Sequence, residues 1–519
     1  MRPSASPHAR RVVLALALAC TVQLAAAPAQ SGLSAAPQLA RVYDAIFDAR
    51  FGDTPALLRQ ACGPAPAEVC QLLEVVSLWW QIQLDPLNRS HDATFIAKAD
   101  AAIARMEAWT TRSPARAEAW FYLGGAYGAR AQWRVLRGER LAAARDGKRI
   151  KESLERALVL DPDLHDAYFG IGLYHYYADV APAAARVLRW LLALPGGDRV
   201  TGLQEMLQAR DRGRLLSGEA DYQLSTVYLW YEKQTERALA LLSGLDERYP
   251  GNPHFLQTIA EIEDTYYQDP VGSARTWEAL LDRARRRRVA EPELAAAVAR
   301  LGIARQHEQV AESDVAVEQL RAVVAAKPVA PYGAVALAQL HLAQSLDRLG
   351  LRGVAVAGYE AALAAVPAGD PHDVRAAARA GLRKLPDPAR TTAYRLSLEG
   401  WRAFERGDLT AAAKALAQAR ALDGEDPVLQ YRYARLLLAQ GLIDDALSAF
   451  AAVHRLRETT PEEIYLRACV DAARIHEQQR AFGVAIDLYR TALTMSGGDR
   501  RLKANAQRAL TRLTTAGAL

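Results

Sequence analysis

The last third of the chain repeats itself every 34 residues, and no other property of the sequence limits the fold as tightly. Gly407, Ala412, Leu416 and Ala419 recur as Gly441, Ala446, Phe450 and Val453. A unit of this length holds two helices and cannot bury its apolar face alone, so it must stack on its neighbours. Glycine or alanine lets the paired helices approach closely, while the larger residue fills the space beside the next helix. Growth by stacking also explains how 519 residues can fold without one oversized core. A composition of 51% hydrophobic and 24% charged residues, led by alanine and leucine, fits a helical protein and excludes a disordered one.

The same markers extend the array in both directions. Gly350, Ala355, Tyr359, Ala362 and Pro367 form another unit, and Ala485, Tyr489 and Ala492 a last one, after a loop lengthened around Thr459 to Glu463. Upstream, Trp120, Leu123, Gly124 and Tyr127 take first-helix places, but the closing Pro162 arrives late, which predicts an insertion between Gln132 and Gly147. Tyr168, Ile171 and Gly172 start the next unit, and Pro250 closes one that begins near Tyr222. Leu84-Asp85-Pro86 and Leu160-Asp161-Pro162 punctuate the array, because proline just past a helix cannot continue it.

These motifs resemble the tetratricopeptide-repeat superfamily, closely from about 330 to 495 and with irregular insertions before that. The resemblance implies an all-α, right-handed α-solenoid of about seven or eight helix-turn-helix units. An irregular array would occupy 30–330 and a regular one 331–512. It also implies a non-enzymatic scaffold without cofactor, holding a protein or extended peptide in its concave groove. Gly170 to Val180, followed by Leu194 to Arg199 and Gly202-Leu203, is similar to a segment of the eukaryotic inclusion-body-clearance tetratricopeptide proteins. Leu173 and Val227 stand where cytosolic members carry the asparagine of a carboxylate clamp, which argues against binding of chaperone tails.

Arg2, His8, Arg10 and Arg11 precede an apolar stretch from Val12, and Ala27-Pro28-Ala29 offers a small-residue cleavage site. This order predicts a signal peptide over 1–29 and an exported bacterial protein, periplasmic or secreted. A second reading lipidates Cys20 within Leu18-Ala19-Cys20 and anchors the chain to the envelope. Beyond the leader, no stretch has the roughly 20 uninterrupted apolar residues of a membrane span. In an oxidising compartment Cys62 and Cys70, eight places apart across Gly63-Pro64-Ala65-Pro66, read as a disulfide, and Cys469 as a buried helix residue.

A net charge of +5, with only eight lysines among 64 basic side chains, gives no footprint for nucleic acid. Arg283 and Arg285 to Arg288 sit where a helix should end, a place that favours cations. Gly196-Gly197-Asp198-Arg199 lacks the lysine and preceding strand of a phosphate loop, and Asp198 reads as a helix cap. His307-Glu308 and His476-Glu477 lack the second histidine of a zinc-protease helix, and Asp161, Asp163, His165 and Asp166 fit a turn better than an ion loop. No metal site and no catalytic residue are expected. For the partner-binding groove, the first helices of two consecutive units supply Phe169, Tyr176, Tyr177, Trp230 and Tyr231. Aromatic rings with polar tips suit a binding surface, though stripes of this kind also fill helix interfaces. The alternative function is a glycan- or lipid-binding module of the envelope that uses these rings.

Overall fold

The computed structural model describes residues 32–180 and 196–516. The predicted signal segment, Cys20 and Leu194-Pro195 lie outside them. Every regular element among the described residues is helical, and no strand occurs. The helices follow one another as antiparallel pairs. The first four pairs are α1 (Ala36–Phe47) with α2 (Thr54–Ala61), α3 (Ala67–Leu84) with α4 (Asp92–Arg112), α5 (Ala117–Leu136) with α6 (Arg140–Leu160), and α7 (Ala167–Val180) with α8 (Arg199–Arg212). Next come α9 (Ser217–Trp230) with α10 (Thr235–Arg248), α11 (Pro253–Thr265) with α12 (Pro270–Arg285), α13 (Pro292–Gln309) with α14 (Ser313–Ala326), and α15 (Ala334–Arg348) with α16 (Arg352–Ala364). A single helix, α17 (Val374–Arg383), precedes α18 (Pro388–Glu405) with α19 (Leu409–Leu422), α20 (Pro427–Ala439) with α21 (Ile443–Arg455), and α22 (Glu462–Gln478) with α23 (Phe482–Thr494). The helix α24 (Arg500–Ala516) ends the stack. This is an α-solenoid, longer than the seven or eight units counted from its punctuation.

The 34-residue markers do what packing requires of them. Ala412, Leu416, Ala419, Ala446, Phe450 and Val453 are all buried at the interfaces of α18 to α22. Gly407 and Gly441 have φ near +80° in the turns before α19 and α21, a conformation glycine adopts without steric cost. The insertion expected near 132–147 lengthens both α5 and α6 to 20 and 21 residues. Prolines open α11, α12, α13, α18 and α20, where the missing N–H costs no helical bond.

Two closures shape the molecule beyond simple stacking. One core runs from Leu33 to Ile303, because α1 folds back onto the α10–α11 corner some two hundred residues further along the chain. The Phe47 ring lies 4.6 Å from Trp80 and 5.4 Å from Tyr249. The Asn252 amide donates to the Phe47 carbonyl at 2.8 Å, and Gly251 N–H to the Asp48 carboxylate at 2.7 Å. Trp80 on α3 packs against Tyr222 and Phe255, so α3 fills the interior of the curved N-terminal stack. At the other end, Gly498 N–H donates to the Gln268 carbonyl at 2.8 Å, and the Arg500 guanidinium lies 3.9 Å over the Tyr267 ring. The buried Arg432 donates to the Ala311 carbonyl and the Ser397 hydroxyl, which ties α20 to the α13–α14 turn.

Candidate binding site

The predicted aromatic groove divides into buried and exposed parts. Tyr176, Tyr177 and Tyr231 form a triad of mutually edge-on rings with centroids 5.5 to 5.8 Å apart. Tyr176 is 0% exposed and donates its hydroxyl to Glu232 at 2.6 Å, and Glu232 is in turn paired with Arg199. Burial, with the Glu232 carboxylate beside it, pushes the Tyr176 phenol well above its usual range. Phe169 is 8% exposed and packs with Ala209 and Ala220 between α7, α8 and α9. These two residues support the helix interfaces and present no face to a partner, a correction to the expected groove. Trp230, 57% exposed, and Tyr231, 42% exposed, remain at the surface at the end of α9.

Tyr176 is enclosed because α7 and α8 meet backbone to backbone. A Cβ on Gly172 would lie 2.7 Å from the Gly202 carbonyl oxygen, and one on Gly202 would lie 2.6 Å from Tyr176 N. No side chain fits there, so Gly172 and Gly202 serve close packing. Gly197 is equally required, its Cβ falling 2.0 Å from the His175 carbonyl. Asp198 caps α8 by accepting from Thr201 N–H at 2.6 Å.

The other residues singled out from sequence have local work. Asp166 is buried and accepts N–H bonds from Arg214, Leu215 and Leu216 at 2.8 to 2.9 Å, pinning the α8–α9 turn. Asp161 accepts from Gly32 N–H and Asp163 N–H. Around the end of α12, Arg283 pairs with Asp246, Arg286 with Asp282, and Arg287 with Glu293. His307 pairs with Glu312 at 2.9 Å. Cys62 and Cys70 are joined, their Cα atoms 6.1 Å apart, and Cys469 is buried. Among the described residues no group of three or more His, Cys, Asp or Glu is placed to hold a metal ion. None of the described helices is long and apolar enough to cross a membrane.

The more open concave surface lies further along the array, where α11, α13 and α15, the first helices of three consecutive pairs, line a cleft of about 760 Å³. Each contributes one polar stripe at helical spacing. Gln257, Glu261 and Asp264 come from α11; Arg305, Gln306 and Gln309 from α13; His341, Gln344 and Arg348 from α15. Residues Leu84 to Leu87, at the end of α3, close one end, where Asp85 accepts the Tyr332 N–H at 3.1 Å. Gly302 sets the depth of the wall, since a Cβ there would fall 2.4 Å from the buried Trp277 indole.

Most charges in the cleft are already partnered. Asp264 binds Arg305 at 2.9 Å and Gln309 at 2.8 Å. Glu308 accepts from Ser313 at 2.9 Å and also holds Ser345 and Arg348. His341 is pushed below the usual histidine range by burial, which keeps its ring neutral. Two groups stand apart. Glu261, exposed at the surface of the cleft, receives the Gln257 amide at 3.0 Å and has no cationic nitrogen within ion-pair distance among the described residues, the Arg305 charge acting on it only from further off. Gln306, 2% exposed, has a side-chain carbonyl oxygen with no hydrogen-bond partner. Sequence reading missed this cleft although a signal was present, as polar residues three, four or seven places apart on successive first helices: Gln257, Glu261 and Asp264, then Arg305 and Gln309, then His341, Gln344 and Arg348.

Comparison with known proteins places residues 403–468 in the family model described as tetratricopeptide repeat. No curated protein matches the sequence. Among solved structures, a Rap protein complexed with competence and sporulation factor is similar at 13% identity and a TM-score of 0.29, over 82% of this chain and 98% of that one. The Cut9–Hcn1 hetero-tetramer of the APC/C is similar at 15% identity and 0.25, over 92% and 89%, and yeast Tom70 at 11% and 0.25, over 93% and 96%.

Proposed function

We propose that this chain, a member of the tetratricopeptide-repeat superfamily, is an exported, non-catalytic scaffold that holds an extended segment of a partner protein in the cleft between α11, α13 and α15. The observation that carries the reading is the convergence of three polar stripes on one open concave surface. In the N-terminal stack that surface is filled, since α1 and α3 occupy its interior. A repeat fold of this kind offers a long curved surface and positions no catalytic group by default. The charged, apolar and small-residue order of the first thirty residues supports export, and the Cys62–Cys70 bridge suits an oxidising compartment.

Side-chain amides along a groove suit an extended backbone, because each offers a donor and an acceptor to a peptide whose own groups are unpaired. The envelope glycan- or lipid-binding alternative needed the aromatic surface near 176–231, and there the Tyr176 hydroxyl is committed to Glu232. A photo-reactive amino acid at Gln344, inside the cleft, tests the reading against one at Val354, exposed on α16. Cross-linking in the native envelope fraction should join a discrete protein to position 344 and not to 354. Equal labelling from both positions, or none from 344, defeats the proposal.

A further inference from the structure

The cleft has a preferred charge, and it runs against that of the chain. The whole protein is at +5, yet four carboxylates line the cleft, Asp85, Glu261, Asp264 and Glu308, against two arginines, Arg305 and Arg348. The arginines are spent on Asp264 and Glu308, and Asp85 is held by backbone N–H. Glu261 is left as an exposed carboxylate on the cleft with one amide donor and no ion-pair partner, since the nearby Arg305 is bound to Asp264. A carboxylate on a groove surface without an ion-pair partner of its own is a ready acceptor for an incoming cation.

A second, independent feature marks the same surface. The Gln306 carbonyl oxygen is buried and unpaired, although a buried acceptor without a donor costs about 1–3 kcal/mol. Native folds seldom keep such a group, and this one lines the cleft. It is an acceptor waiting for an N–H.

We infer that the cleft selects a cationic peptide segment, with a lysine or arginine side chain seated against Glu261 and a donor of the same segment satisfying Gln306. The inference rests on the scaffold reading above and adds the partner's chemistry to it. It is opposite in sign to capture of an acidic chain end, consistent with Leu173 and Val227 standing where a carboxylate clamp needs asparagine.

The test uses the mature protein and two fluorescein-labelled nine-residue peptides of glycine and serine that differ only in three central residues, arginine in one and glutamate in the other. Fluorescence anisotropy should show the arginine peptide binding at least about ten-fold more tightly, with the preference shrinking as salt rises. Glu261→Gln, at an exposed position, should abolish the preference. Gln306→Leu should weaken the arginine peptide by a further factor of about three to ten, provided circular dichroism and a urea midpoint show the variant folded. Binding of the glutamate peptide as tightly as the arginine one, or a preference that survives Glu261→Gln, overturns the charge selection and leaves the cleft as a peptide groove. Failure of both peptides to bind overturns the selection and the groove together.

Discussion

Replacing Gly302 by alanine should destabilise the protein, although alanine is the better helix former. The new Cβ would sit 2.4 Å from two indole carbons of Trp277 and 2.6 Å from its nitrogen, well inside van der Waals contact. Trp277 is buried at the α12–α13 interface and cannot swing away, so the helices must separate. Overpacking of this kind costs about 1–3 kcal/mol, against a gain of about 1 kcal/mol from removing a mid-helix glycine. The net loss should be up to about 2 kcal/mol, concentrated on α12 and α13 because stacked repeats couple mainly to their neighbours. Hydrogen exchange reports this directly, as reduced protection over residues 270–309 with α20 to α23 unchanged. The Trp277→Leu background supplies the decisive comparison, since without the indole Gly302→Ala should become neutral or stabilising. A stabilising effect of Gly302→Ala in the otherwise unchanged protein would refute the close approach of α12 and α13.

Asp166→Ala removes the acceptor of three backbone N–H groups and should cost about 3–5 kcal/mol, read as a lower urea midpoint with the largest loss of exchange protection in the α8–α9 turn. Reducing the Cys62–Cys70 bridge, or replacing both cysteines by serine, should cost roughly 2–3 kcal/mol, confined to α1 to α4. Burial holds His254 at about 4 and Glu219 at about 7, and both groups flank Tyr222. The unfolded chain binds the extra histidine proton between about 4 and 6.5, so that term raises stability with pH. The folded chain keeps the extra glutamate proton between about 4.5 and 7, so that term lowers it. The two nearly cancel between about 4.5 and 6.5, and Glu219→Gln should turn a flat stability profile over that interval into one that rises with pH, as followed by urea midpoints.

Local facts were legible in the sequence because they depend on neighbours in the chain. The 34-residue spacing placed Ala412, Leu416, Ala446 and Phe450 at helix interfaces, where they are buried. The insertion read between Gln132 and Gly147 appears as the long α5 and α6, and Asp198 caps α8. What spacing could not reveal is which distant units meet. A repeat fixes each helix against the next, whereas the bridge from Phe47 to Tyr249 and Asn252 depends on curvature summed over five pairs. For the same reason Phe169 and Tyr176 looked like groove residues. Helical phase put them on a first helix but could not show that Gly172 and Gly202 draw α8 over them.

The closure of the N-terminal half also accounts for its chemistry. Phe47, Trp79, Trp80, Phe95, Tyr249 and Phe255 belong to one buried cluster, with the partly buried Tyr222 packed against it, because the curved stack must fill its own interior and large rings fill such a space with little conformational loss. The concave surface of α11, α13 and α15 stays open as a cleft, where glutamine, glutamate, arginine and histidine stand beside apolar residues such as Val298, Leu301 and Leu337. A solenoid that closes on itself at one end thereby separates two tasks that a uniform array would share. The N-terminal units become a rigid body stapled by α1 and the Cys62–Cys70 bridge, and the middle units keep a solvated groove whose polar groups can exchange water for a partner. The aromatic residues of the first half are thus a consequence of closure, and the polar stripes of the middle are where recognition has chemistry left to offer.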